Sequence, residues 1–199
     1  MYRAQFLMLI STLALAACSG APTREAQQPA APAATATPTA APVVVPSALG
    51  KLAEHGRITV GAQPSVDDLR ALKAQGYTRV ISVRTPGEMN DRNVVPFDEA
   101  ALAAELGLQY ENVPVGGNDF PFRPELADAV ANALNDEHSK VFLHCTVGAR
   151  ASMVYAAYAV KYLGMDPDAA LRDTELFGMW PLALERMTGV KLKVVRAED

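Results

Sequence analysis

His144-Cys145-Thr146-Val147-Gly148-Ala149-Arg150 sets a thiol, a glycine and a guanidinium within one seven-residue stretch. Upstream lies the apolar run Lys140-Val141-Phe142-Leu143, and downstream Ala151 to Leu163 is almost wholly apolar. The stretch therefore reads as a short loop between a buried strand and a buried helix. Such a loop gathers backbone N–H groups and the helix dipole at one point and binds anions there. Gly148 lets the backbone turn with its amides inward, where a side chain at positive φ would be strained. The amides of Thr146, Val147, Gly148 and Ala149 are then the expected substrate-binding donors. Arg150, in the first helical turn, offers a planar two-pronged donor to an oxyanion. A thiol among these donors is favoured as thiolate, which makes Cys145 the candidate nucleophile.

The rest of the domain must present this loop at the carboxyl end of a sheet. From Leu49 onward, short β-branched runs alternate with amphipathic stretches, which predicts an α/β fold with a mainly parallel sheet covered by helices. Arg57-Ile58-Thr59-Val60 predicts a first strand and Arg79 to Val83 a central one. Between them, Ser65-Val66-Asp67-Asp68 has the form of a capping box, opening a helix that Gly76 ends. Phe97 to Leu106 predicts a helix closed by Gly107, Leu108 to Val115 a strand, and Gly116-Gly117-Asn118-Asp119 a flexible loop. Pro124 opens a helix running to about Glu137, and Asp166-Pro167 and Trp180-Pro181 open two more. Arg84 follows the central strand and is expected on the same sheet edge as Cys145, either binding substrate or pairing with Glu88.

Ahead of the domain the sequence changes character twice. Residues 1–17 combine Arg3 with an apolar run from Phe6 to Ala17, the pattern of a secretory signal. The run ends in Leu15-Ala16-Ala17-Cys18, which resembles the bacterial lipobox, so Cys18 is the expected lipidation site and the membrane is a partner only through that anchor. Ser19 after it, by resemblance to Gram-negative lipoproteins, implies the outer membrane, with the domain facing the periplasm. Residues 18–47 carry the lipidated cysteine and an Ala, Pro and Thr-rich tether that cannot bury enough apolar surface to fold, leaving 48–199 as the single folded domain. With Cys18 lipidated, Cys145 has no partner for an intramolecular disulfide, and a lone thiol in an oxidising compartment points to reactivity.

His-Cys-x-x-Gly with a nearby Arg resembles the signature of protein tyrosine and dual-specificity phosphatases. Gly61-Ala62-Gln63-Pro64-Ser65, Asp68-Leu69, Val80-Ile81-Ser82-Val83-Arg84, Glu88 and Val113-Pro114-Val115 extend the likeness. Together they resemble the bacterial phosphatase-like family named after beta-lactamase hydrolase, over about Gly61 to Gly178. The resemblance implies a three-layer dual-specificity-phosphatase-like fold, with a mainly parallel sheet of four to five strands flanked by helices. It also implies hydrolysis of phosphate monoesters, protein phosphotyrosine among them, through a phosphocysteine on Cys145 with Arg150 as the transition-state clamp. Asp119, on an upstream Gly-rich segment where related phosphatases keep their acid, is the implied general acid. His144 is expected to shape the loop through a structural hydrogen bond, and Ser152 to hydrogen-bond the thiolate.

Four residues separate Cys145 from Arg150, one fewer than in the common phosphatase signature. The bacterial family shares this spacing, and so do rhodaneses, which hold a persulfide on the same kind of cysteine. A sulfurtransferase and a non-catalytic oxyanion-binding module therefore stand beside the phosphatase. Other classes are disfavoured. A net charge of -4 argues against nucleic acid as a partner. The only histidines are His55, His138 and His144, with no ligand spacing, so neither metal nor cofactor is expected. In a continuing strand His144 and Cys145 point to opposite faces. Tyr155, Tyr158 and Tyr162 read as packing residues of the following helix.

Overall fold

The computed structural model describes residues 51–193. The signal segment, the lipidation site at Cys18 and the tether therefore lie outside the described residues. Among the described residues no helix is long and apolar enough to cross a membrane.

Five strands form one sheet in the order β1-β2-β5-β3-β4: β1 (Ala53–His55), β2 (Ile58–Gly61), β3 (Arg79–Ser82), β4 (Gln109–Asn112) and β5 (Val141–His144). All neighbours are parallel except β1, which turns back against β2 as a hairpin. This is the mainly parallel α/β sheet read from the sequence. Strand β5 sits in the middle, paired on one side with β2 and on the other with β3, so both its faces must be covered. Its residues alternate accordingly: Val141 and Leu143 enter one core, Phe142 the other.

On the first face lie α4 (Glu125–Ala133), α5 (Ala149–Leu163), α6 (Pro167–Arg172) and α7 (Pro181–Thr188). Helix α5 is buried without a break from Ala151 to Ala159, as a helix between a sheet and other helices must be. On the second face α1 (Val66–Ala74) and α3 (Glu99–Glu105) cover Val80 and Phe142 through Leu69, Leu72 and Ala103. The capping box expected at Ser65 and Asp68 is formed in both directions, and Gly76 and Gly107 adopt the left-handed backbone that ends α1 and α3.

Several bounds differ from the sequence expectation. The first strand is not the one around Ile58 but β1, a three-residue edge strand whose Ala-Glu-His composition carries no β-branched residue; its pairing with β2 creates it. The helix opened by Pro124 stops at Ala133, because the Arg57 guanidinium binds the carbonyls of Leu134, Asp136 and Ser139 and holds the following residues as a turn. Strand β4 ends at Asn112, although the N–H groups of Val113 and Val115 still reach Ser82 and Val83 carbonyls on either side of Pro114. Helix α2 (Pro86–Asn90) has no counterpart in the sequence reading, and it carries a residue of the site.

Candidate active site

The apolar β5 delivers Cys145 to the carboxyl edge of the sheet, and α5 leaves it at Ala149. Gly148 is the hinge between them: its φ of 94° is a conformation that side-chain-bearing residues avoid, and an added Cβ would also lie 2.3 Å from the Phe177 ring. In that conformation the Gly148 N–H points back and donates to Cys145 Sγ at 3.2 Å. The thiol is almost fully buried, while Thr146 and Val147 stand exposed on the outside of the loop. The backbone N–H of Gln63 ties the loop to the end of β2 through the Thr146 carbonyl at 3.3 Å.

Arg150 lies beside the thiol and is held from three sides. Its Nη1 donates to Glu88 Oε2 at 2.8 Å and to the Val115 carbonyl at 2.8 Å. Its Nη2 donates to Glu88 Oε1 at 2.7 Å and to Thr146 Oγ1 at 2.9 Å. Four of its five N–H groups are thus engaged by protein acceptors, and to present a full fork to an oxyanion Arg150 must exchange one of them. The Thr146 hydroxyl, on the exposed side of the loop, in turn donates to Glu88 Oε1 at 3.0 Å. Hydrogen bonds from Arg150 hold the Glu88 carboxyl well below the usual carboxylate range, against a burial effect of opposite sign. Glu88 in turn raises the Arg150 pKa, with a smaller contribution in the same direction from Cys145.

Glu88 is the functional residue whose role here the sequence reading missed. It is the third residue of α2, where it accepts from the Thr85 N–H at 2.9 Å while the Thr85 hydroxyl accepts from the Glu88 N–H. Thr85-Pro86-Gly87-Glu88 is itself a capping-box sequence with Pro at the first helical position, so the local signal was there. Nothing local shows that the same carboxylate meets Arg150, 62 residues away.

The other expected site residues divide. His144 is fully buried and stacks on Phe142, on the face opposite Cys145, with its Nε2 2.8 Å from Glu99 Oε1 but without the alignment of a hydrogen bond. Arg84 is 1% accessible, and its Nε lies 3.4 Å from Glu88 Oε1, the partner named for one of its two expected roles. Ser152 is also buried, but its hydroxyl donates to the Ala149 carbonyl at 2.9 Å, the usual outlet for a serine inside a helix, and no hydrogen bond joins it to the thiol. Asp119 sits exposed in the turn bridged by Gly116 and Phe120. That turn abuts the site, since a Cβ on Gly116 would lie 3.0 Å from Arg150 Nη1, but the Asp119 carboxylate makes no hydrogen bond to the loop.

A central parallel sheet, a thiol loop at the carboxyl end of its middle strand and a buried helix behind it define a protein-tyrosine-phosphatase-like α/β domain. The chain belongs to the family of the beta-lactamase hydrolase-like protein, phosphatase-like domain, whose model matches residues 49–160. It is similar to the beta-lactamase hydrolase-like proteins of Xylella fastidiosa (strain Temecula1), 31% identical over 100 residues, and Agrobacterium fabrum (strain C58), 30% identical over 103. Each match covers 50% of this chain and 22% of the relative, so the chain spans about a fifth of the length of these proteins. Among solved structures, PTPMT1 is similar with a TM-score of 0.56 at 20% identity, covering 66% of this chain and 87% of that one. TpbA of P. aeruginosa is similar with a TM-score of 0.53 at 18% identity, covering 70% and 84%. At these identities the likeness is one of fold. PTPMT1 has been solved with PI(5)P and TpbA with pTyr.

Proposed function

We propose that the domain hydrolyses phosphate monoesters through Cys145. The observation that carries this reading is that Cys145 Sγ, met by the Gly148 amide, and Arg150 share one short loop at the carboxyl edge of the sheet. The Cys145 thiolate attacks phosphorus, forming an S–P bond as the ester P–O bond breaks. The departing oxygen takes a proton from a general acid, for which Asp119 is the candidate on its adjacent turn. Water then attacks the phosphocysteine, releasing inorganic phosphate and restoring the thiolate. The inward amides of Thr146 to Ala149 and Arg150 carry the charge that develops on the equatorial oxygens. The ligands of PTPMT1 and TpbA, PI(5)P and pTyr, each carry a phosphate monoester, which supports that substrate class here.

The full chain under reducing conditions is expected to release phosphate from an aryl phosphate, and Cys145→Ser to lower turnover by at least about a thousandfold. The same preparation is then given thiosulfate and cyanide. Cys145-dependent thiocyanate formation without phosphate release would replace the phosphatase with a sulfurtransferase, and oxyanion binding with neither product would leave a binding module.

The expected location is a second proposal. With Cys18 lipidated, the domain works in the Gram-negative envelope, anchored in the outer membrane and facing the periplasm. Cys18→Ser is expected to abolish acyl labelling and move the protein out of the membrane fraction; a variant that still sediments with membranes refutes the anchor.

A further inference from the structure

Behind Arg150 lies a chain of charged and polar side chains that the hydrolysis step does not touch. Arg84 donates from Nη1 to Gln63 Oε1 at 2.9 Å, and its Nε lies 3.4 Å from Glu88 Oε1 without an aligned partner. Gln63 Nε2 donates to Glu99 Oε2 at 2.7 Å, and Glu99 Oε1 faces His144. The Gln63 amide is oriented by charge on both sides, its oxygen to the cation and its nitrogen to the carboxylate. Arg84, Glu99 and His144 are each nearly or fully buried.

The charges in this chain do not cancel locally. Arg84 and Arg150 both lean on one carboxylate, Glu88, whose oxygens already accept two bonds from Arg150 at 2.7 and 2.8 Å. The next carboxylate, Glu99, stands beyond the neutral Gln63 amide and turns to His144. A carboxylate shared between two cations neutralises neither completely. We propose that Arg84 is a positioning residue for anion binding: held by Gln63, whose amide Glu99 orients, it shares Glu88 and leaves the Arg150 guanidinium with positive charge to give a tetrahedral oxyanion. Without Arg84, the Glu88 carboxylate would face Arg150 alone and offset more of its charge. The inference rests on the phosphatase reading in taking the loop's ligand to be such an oxyanion.

Inorganic tungstate, titrated calorimetrically into the full chain, tests this apart from turnover. Wild type is expected to bind it, and Arg84→Met to bind about tenfold more weakly, the loss of one partly screened charge interaction. With an aryl phosphate, KM is expected to rise by about the same factor while kcat stays within about threefold, because the residue acts on binding the anion rather than on the reacting atoms. Arg84→Lys keeps the charge but not the guanidinium geometry, and is expected to restore tungstate affinity to within about threefold of wild type. A purely structural role predicts no such rescue. Where Arg84→Met does not fold, Arg84→Gln takes its place as the neutral variant. Folded neutral variants that bind tungstate like wild type, or a lysine variant no better than the neutral one, overturn the proposal alone. A wild type that binds no tungstate overturns it together with the phosphatase reading.

Discussion

Arg150→Ala is expected to lower kcat/KM toward an aryl phosphate about a thousandfold, in the range seen when a preorganised donor to transition-state charge is removed. The expected size follows from geometry. Arg150 leaves the same loop as Cys145, and both arms of its fork are set by Glu88, so the guanidinium plane is fixed before any oxyanion arrives. Arg150→Lys separates charge from shape. A lysine ammonium cannot meet both Glu88 oxygens, the Val115 carbonyl and an oxyanion from one rigid plane, so this variant is expected to recover no more than about tenfold of the loss. Folding should be little affected in either variant, because Glu88 is 28% exposed and keeps its bonds from Thr85. Steady-state kinetics with a urea melt on each variant provides the check. A lysine variant within tenfold of wild type would show that charge alone suffices and that the fork is not used.

The loop was legible in the sequence because everything it needs is local. Cys145, Gly148 and Arg150 sit between an apolar strand and an apolar helix, and the alternation of a strand alone sends His144 and Cys145 to opposite faces, as observed. The capping box at Ser65 was equally local. What stayed hidden depends on partners far away in the chain. For Arg84 the sequence left substrate binding and pairing with Glu88 both open; only the fold reveals its burial and the Gln63 oxygen that accepts from it. Strand β1 exists because β2 offers an edge. The hydroxyl of Ser152 had two possible outlets, and helix geometry favours the carbonyl three residues back. Asp119 belongs to the same class: its chain position puts it near Arg150, but the orientation of an exposed turn residue toward a leaving group is not written in either sequence or helix rules.

Between pH 7 and pH 5 the domain is expected to lose about 2 kcal/mol of stability through one residue remote from the thiol, His55. His55 ends β1 and stacks on Tyr155 of α5, with ring centroids 3.8 Å apart and planes at 19°. Its Nδ1 is buried without a partner. Burial lowers its pKa from 6.5 to about 4. The unfolded chain therefore takes up the proton near pH 6.5 and the folded one only near 4, so across that window protonation favours unfolding. The contribution is complete above pH 6.5, falls as pH drops, and is gone below about 4, where the total approaches about 3 kcal/mol. Its aromatic neighbours do not oppose this, since Tyr155 and Tyr158 have pKa values raised by burial and stay neutral throughout. Asp173, near Tyr155, is raised by burial and acts in the opposite sense, and Glu88, held low by Arg150, adds its own loss toward acid. His55→Phe isolates the histidine, because phenylalanine keeps the stack on Tyr155 and binds no proton. Unfolding free energies from urea titrations should then fall between pH 7 and pH 5 by about 2 kcal/mol more for wild type than for the variant. Parallel losses in the two proteins would mean that His55 titrates in the folded domain as it does in the open chain, and that the acid sensitivity lies in the carboxylates.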